Sequence, residues 1–271
     1  MEQTVTYNKA PLVELIVEVK WPVTTIGTTG GPPIVGGQSA AFDVWFQRLT
    51  ERLRAQGFHN LERLVPHDMF LLAHQPLYRY SRGEDRFPIV QLGHGIFTVN
   101  AGPPNYRSWA ALRPQVEEAV AALVDTKPAN EPPTTFSRVA LRYIDLFNTE
   151  LRAGASNYAF IRDDLGIRIG LPEGLIELAP DSGRIYPTLA IQLPIDGDEN
   201  ASMTFQVAAG RLGNRSSTDT VMDMSYVVSA DIPLATAAVL APLDAAHTAI
   251  HGWFEKLTLK IRDRMEPNLS A

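Results

Sequence analysis

Between Leu12 and Trp21 the chain reads LVELIVEVKW, and its apolar side chains recur at every second position. Val13, Leu15, Val17, Val19 and Trp21 share one face; Glu14, Glu18 and Lys20 share the other with Leu12 and Ile16. A helix cannot segregate such a run, whereas a pleated strand with one buried face does so automatically. The rest of the chain must supply a cover for that face.

From about Ala40 the period changes. Phe42, Trp45, Phe46, Leu49 and Leu53 follow helical spacing, with Arg48, Glu51, Arg52 and Arg54 opposite and Gly57 as a stop. Strand-like runs follow at Met69–Tyr80, Pro88–Leu92 and Ile96–Ala101, the last two joined by a tight Gly93-His94-Gly95 turn. Trp109, Leu112, Val116, Ala119, Val120 and Leu123 predict a second helix, in which Pro114 leaves Ser108–Leu112 as a separate short turn. After a proline-rich connection at Lys127–Thr135 the order begins again. Val139–Phe147 reads as a strand, Asn157–Leu165 as a short helix, and Leu175–Leu178, Tyr186–Ile195, Ser202–Ala209 and Met222–Ile232 as strands. Leu243–Met265 closes the chain as a long helix.

Strands joined by short turns and then covered by helices point to an α+β fold rather than a parallel α/β one. The expectation is a large curved antiparallel sheet backed by helices. Residues 1–134 form one half and residues 135–271 the other, as two repeats of a strand–helix–strands–helix unit sharing one continuous sheet. Two unrelated halves remain the alternative.

Composition removes several function classes. The chain has no cysteine, which excludes disulfides, thiolate zinc sites, iron–sulfur clusters and a cysteine nucleophile. Its net charge is -6, so nucleic acid is a disfavoured partner. The opening MEQTVTYNKAPLVE lacks the apolar core of a signal peptide, and no run reaches the length of a membrane span, so a cytoplasmic protein without a membrane partner is expected.

Motifs with chemistry are weak. The stretch GTTGGPPIVGGQS lacks the Lys-Ser/Thr of a phosphate loop and its prolines remove donors, so it reads as an irregular, partner-contacting loop. His247 and His251 have zinc-compatible spacing, but HTAIH lacks the glutamate of a metalloprotease helix, and a core histidine is the reading preferred; no metal and no cofactor are expected. No Gly-x-Ser-x-Gly elbow occurs. Asp163-Asp164 sits at a helix end, and Asp196–Asn200 (DGDEN) resembles a hairpin turn more than a calcium loop.

Polar residues inside strands stand out instead. Glu14, Asn100, Arg142 and Asp145 interrupt apolar runs, and if their face is covered each needs a partner. Glu14 and Arg142 are expected as a cross-sheet structural pair. Together with Tyr143 they are also the candidates for a ligand site.

Several of these positions carry a family resemblance. It rests on Ala10-Pro11-Leu12-Val13-Glu14, on Gln91-Leu92-Gly93 through Phe97-Thr98-Val99-Asn100, on Tyr106, Trp109, Arg113 and Pro114, and on Leu141-Arg142-Tyr143-Ile144-Asp145. There the chain resembles a sporadically distributed bacterial protein family of unknown function with an N-terminal Pro-Leu-Val-Glu strand motif. Where that family carries asparagine after Arg-Tyr-Ile, this chain has Asp145. The resemblance implies no reaction; its patchy distribution implies defence or mobile-element operons.

The leading functional expectation is therefore a non-enzymatic protein-binding or accessory protein. The rival is a small-molecule binder or enzyme with a pocket between the sheet and the C-terminal helix on which Glu14, Asn100, Arg142 or Tyr143 converge; dispersal of these side chains, or a space filled by Trp253 and Phe254, would remove it. A third, nucleic acid on a saddle-shaped sheet, needs a positive concave face. The oligomeric state is left open.

Overall fold

The computed structural model describes residues 6–26, 33–36, 40–83, 87–129, 131–168, 185–210 and 218–268. In chain order the elements are β1 (Thr6–Tyr7), β2 (Leu12–Lys20), β3 (Thr25–Ile26), β4 (Ile34–Val35), α1 (Ala40–Ala55), β5 (Asn60–Arg63), β6 (Pro76–Ser81), β7 (Ile89–Gly93) and β8 (Ile96–Ala101). Next come α2 (Trp109–Thr126), β9 (Thr135–Phe136), β10 (Arg138–Phe147) and α3 (Asn157–Ala159), which runs into a π turn at Phe160–Asp164. The chain continues with β11 (Thr188–Ile195), β12 (Asp198–Gly210), β13 (Asp219–Val228), β14 (Ile232–Pro233), α4 (Thr236–Leu257), a 3₁₀ helix (Leu259–Met265) and β15 (Pro267–Asn268).

Nine strands form one antiparallel sheet in the order β11-β12-β13-β10-β2-β8-β7-β6-β5, which is the expected α+β class. Outward from β2 lie β8, β7, β6 and β5; outward from β10 lie β13, β12 and β11. In each series the last strand returns to lie beside the first, so the form of connection recurs. Order alone does not establish an internal duplication. Among the described residues no helix is long and apolar enough to cross a membrane.

By internal contacts the chain divides into two compact units. A terminal unit comprises Met1–Glu14, Arg142–Tyr226 and Thr248–Ala271, and a central unit comprises Leu15–Leu141 and Val227–His247.

In the central unit the alternating face of β2 is buried as its pattern demands, with Leu15, Val17 and Val19 at 0% exposure. Helices α1 and α2 carry the cover, burying Leu49 and Leu53 from one and Val116, Val120 and Leu123 from the other. Each such side chain contributes about 1.5–3 kcal/mol of transfer free energy. The break expected at Ser108–Leu112 does not occur. Ser108 caps α2 by accepting from the Ala111 N–H (3.3 Å), Leu112 N donates to the Ser108 carbonyl (3.1 Å), and Pro114 is accommodated near the start of a continuous helix.

The glycine- and proline-rich stretch is also less irregular than expected. Thr25 pairs with Val35 and Ile26 with Ile34, and the segment after β5 completes a small ribbon: Val35 N donates to Leu71 O (2.8 Å) and Ala73 N to Pro33 O (2.9 Å). Residues 27–32 and 37–39 of that stretch lie outside the described residues. The same pairing explains why the Met69–Tyr80 run is a strand of the large sheet only over Pro76–Ser81. Likewise β13 ends at Val228, and Ile232–Pro233 pairs with Thr135–Phe136 instead of extending it.

In the terminal unit β11 and β12 form a hairpin about Asp196-Gly197, where Gly197 takes φ of +79°, so the expected DGDEN turn is present. Met203, Phe205, Val207, Met222, Met224, Phe147 and Phe160 fill its core. The expected helix at Asn157–Leu165 is three α residues, capped by Ser156, followed by the π turn. The closing helix gives way near Thr258, whose hydroxyl donates to the Phe254 carbonyl (2.7 Å), and the 3₁₀ helix follows. The strand expected at Leu175–Leu178 lies outside the described residues.

Candidate functional site

The central unit contains a cleft of about 300 Å³. Its lining comes from the end of β2 and the residues after it (Trp21–Thr24), from β4 (Val35, Gly36), from the first turns of α1 (Ala41, Phe42, Trp45), from the β7–β8 turn (His94, Gly95) and from Pro132-Pro133. Trp21 ends the period-two run of β2, and its N–H donates to the Gly95 carbonyl (3.1 Å), which fixes strand end and turn together. Trp45 donates its indole N–H to the Leu123 carbonyl (3.0 Å) and lies 5.0 Å from the Trp21 ring. Spacing on α1 places Ala41 and Trp45 on one face with Phe42 beside them.

Two glycines make the turn possible. A Cβ at Gly93 would lie 1.9 Å from the Gln75 carbonyl oxygen, and one at Gly95, where φ is +81°, would lie 2.8 Å from the Trp21 carbonyl oxygen. Only glycine fits both places. The His94 between them is turned into the lining, where its ring stacks on Phe42 with centroids 3.9 Å apart. Burial lowers the His94 pKa, and the nearby Asp43 carboxylate only partly opposes this, so the imidazole is neutral at pH 7. It offers one donor and one acceptor in a setting dominated by apolar and aromatic side chains. His94 is the only ionisable side chain among the described lining residues.

The β3–β4 ribbon that supplies Val35 and Gly36 to the lining, and the segment bonded to it, expose large apolar side chains. Ile26, Met69 and Phe70 are 61%, 59% and 78% exposed. Gly36, in the lining, holds Ile26 close, since a Cβ there would sit 3.4 Å from Ile26 Cγ1. Met69 and Phe70 immediately precede Leu71, which accepts from Val35 of the same wall.

The polar residues singled out in the sequence lie elsewhere. Asn100 is buried in the central unit on β8, where its Oδ1 accepts from the Thr98 hydroxyl (2.7 Å). The other four belong to the terminal unit. Glu14 and Tyr143 are half-buried on β2 and β10. Arg142 is exposed and grips Asp223 of β13 with two guanidinium nitrogens, one of them 2.8 Å from Oδ1. Asp145 is 3% exposed, and its Oδ2 has no hydrogen-bond partner. Burial, reinforced by the Asp223 charge, pushes the Asp145 carboxyl up to about 8, so it is protonated at pH 7. Arg142 and Asp145 thus meet around Asp223, which sequence reasoning did not single out.

Of the two motif histidines, His247 lies on α4 within the central unit. His247 stacks on Trp109 (5.6 Å, 20° between planes). Trp109 and Arg113, both part of the sequence resemblance, bind one carboxylate: Trp109 Nε1 and Arg113 Nε each lie 2.9 Å from Asp244 Oδ1. They tie α2 to α4 within the central unit. Among the described residues no group of His, Asp or Glu has a geometry that could hold a metal ion. Near the C-terminal helix, Trp253 packs against Phe205 and Phe254 against Tyr7.

No protein-family model matches the chain, and neither the curated proteins nor the solved structures contain a match to it.

Proposed function

We propose that this chain is a non-enzymatic binding protein that receives an uncharged, aromatic- or proline-bearing segment of another protein in the cleft of its central unit. The observation that carries the reading is the coincidence of an aromatic floor (Trp21, Phe42, Trp45) with exposed apolar side chains on the adjoining ribbon (Ile26) and on the segment bonded to it (Met69, Phe70). Large apolar side chains left in water beside a concave, charge-free lining mark interaction sites rather than catalytic ones. A neutral imidazole at the floor suits a backbone carbonyl or amide of an extended segment, and stacked aromatic walls favour flat or proline rings.

The test uses a displayed library of random extended peptides selected on the folded protein. Enrichment of an aromatic- or proline-containing motif, lost on Phe70→Asp and on Met69→Asp with the fold retained, supports the reading. Absence of enrichment, or a motif indifferent to both substitutions, removes it. A small uncharged aromatic ligand is a second reading, favoured by the cleft volume, which lies at the low end of ligand pockets. Thermal stabilisation by aromatic fragments that persists in Phe70→Asp would favour it over a peptide. A place in a bacterial defence or mobile-element operon belongs to this proposal through the sequence resemblance, and the neighbouring genes test it.

A further inference from the structure

We propose that two copies of this chain pair through β11, antiparallel and edge to edge, about a two-fold axis at Ile191. β11 is the outermost strand at one margin of the large sheet, and its one strand neighbour among the described residues is β12. It reads Thr-Leu-Ala-Ile-Gln-Leu-Pro-Ile, eight residues without a charge. Edge strands are ordinarily blunted by charge, shortness or cover, because their free N–H and C=O groups template pairing with another chain. The other margin has these protections: β5 is four residues long and reads Asn-Leu-Glu-Arg, with Glu62 paired to Arg79 at 3.2 Å. Over Thr188–Leu193 β11 carries no charge, it is eight residues long, and among the described residues no strand covers its outer edge.

A second feature coincides on the same strand. Leu189, Ile191 and Leu193 lie opposite Val207, Phe205 and Met203, whose side chains are 0%, 4% and 1% exposed. The aliphatic row of β11 therefore continues the core face of the terminal unit. Yet Ile191 is 39% exposed and Leu189 and Leu193 are only half-buried. The apolar face is thus incompletely buried along the strand that, among the described residues, ends the sheet.

A second copy satisfies both needs at once. The whole chain carries a net charge of -6, so most of its surface repels a copy of itself, whereas a charge-free strand does not. Side chains directly opposite in an antiparallel pair share a face, so the aliphatic rows of two copies merge only when odd positions meet odd positions. Centring on Ile191 does this, placing Leu189 of each copy against Leu193 of the other. Pro194 has no N–H, and the register shifts between Pro194 and Ile195, so the pairing ends there. An interface of this length is small, and the association it supports is concentration-dependent.

Sedimentation velocity across a range from about 1 µM to about 1 mM should carry the mass from 29.8 kDa toward twice that value. Ile191→Lys should weaken association by at least about tenfold while far-ultraviolet circular dichroism stays unchanged; Ala190→Lys on the opposite face of the strand serves if Ile191→Lys unfolds. The chain has no cysteine, so Ile191→Cys introduces a single thiol that mild oxidation should convert to a symmetric cross-linked dimer, its partner lying directly across the axis. Glu62→Cys on β5 should cross-link far less. A monomer at every concentration, a dimer indifferent to both lysine variants, equal cross-linking of the two cysteine variants, or a different protein occupying β11 of a monomer would each overturn the proposal.

Discussion

The central and terminal units bury polar groups of different kinds. Among the described residues of the central unit the buried polar side chains are Thr50, His94, Thr98 and Asn100, together with Tyr80, and all are uncharged at neutral pH. In the terminal unit they include Asp145, Arg152 and Asp219, at 3%, 6% and 1% exposure. Neutral partners satisfy one another at modest cost, whereas a buried charge is tolerated only while its partner stays in place. The central unit is thus held mainly by apolar packing, and the terminal unit depends more on particular side chains and on pH.

The largest expected effect is at Arg152. Its guanidinium lies 3.9 Å from Asp219 and donates to the Ala155 and Thr218 carbonyls, the latter at 3.2 Å. Arg152→Ala removes one partner of a buried ion pair and should cost about 3–5 kcal/mol in urea unfolding at pH 7. A loss under about 1 kcal/mol would break the comparison, because the buried charge would then be incidental.

Asp145 should act in the opposite direction. Its carboxyl is neutral in the folded chain up to about pH 8 but titrates near 3.8 once unfolded. Between those values folding takes up a proton, so the contribution of Asp145 is greatest below about pH 4 and declines as pH rises toward 8, by up to about 1.4 kcal/mol per pH unit. Asp145→Asn keeps the shape and removes the titration. The variant should be the more stable protein at pH 8, by a few kcal/mol, and nearly equal at pH 4, as read by urea unfolding across that range. Wild-type stability independent of pH over this window would mean that Asp145 is not buried as described.

How much of this was legible in the sequence follows from the range of each interaction. Period-two runs gave β2, β8 and β10, and helical spacing gave α1 and α2, because periodicity is local and burial enforces it. The Asp-Gly turn of β11–β12 was legible for the same reason. The ribbon of β3 and β4 was not, since strands of two residues have no period and are held by a segment some forty residues away. The cleft was not legible either: Trp21, Phe42, Trp45 and His94 come from a strand end, a helix and a turn. A histidine between two glycines was the one local hint. Arg142 was recognised as needing a partner, but Asp223 lies 81 residues further on, beyond what spacing can reach.

In the central unit the matching perturbation to Arg152 is Thr50→Val. The Thr50 hydroxyl lies 2.9 Å from the Tyr80 hydroxyl and donates to the Phe46 carbonyl (2.7 Å), and Tyr80 is fully buried. Valine preserves the volume and leaves the phenol without this partner, so the expected loss is about 1–3 kcal/mol. Because neither group ionises between pH 5 and 8, the loss should be the same at both values. A pH-dependent loss would show that charge reaches this core after all.

The smallest effect sharpens the contrast most directly. His94 is a base whose folded pKa burial has lowered, so its sign is the reverse of that of Asp145. Above its ordinary value of 6.5 both states are neutral and nothing is lost; as pH falls below it, the unfolded chain gains a proton that the folded chain refuses, and stability declines toward acid. His94→Gln removes that decline, a difference of at most about 2 kcal/mol between pH 6.5 and 5. Between pH 5 and 6.5 this decline opposes the gain from Asp145, so it is exposed in Asp145→Asn, whose stability should fall toward acid. The double variant Asp145→Asn/His94→Gln should be flat over this range, and an acid decline as large as that of Asp145→Asn alone would assign the dependence to some other group.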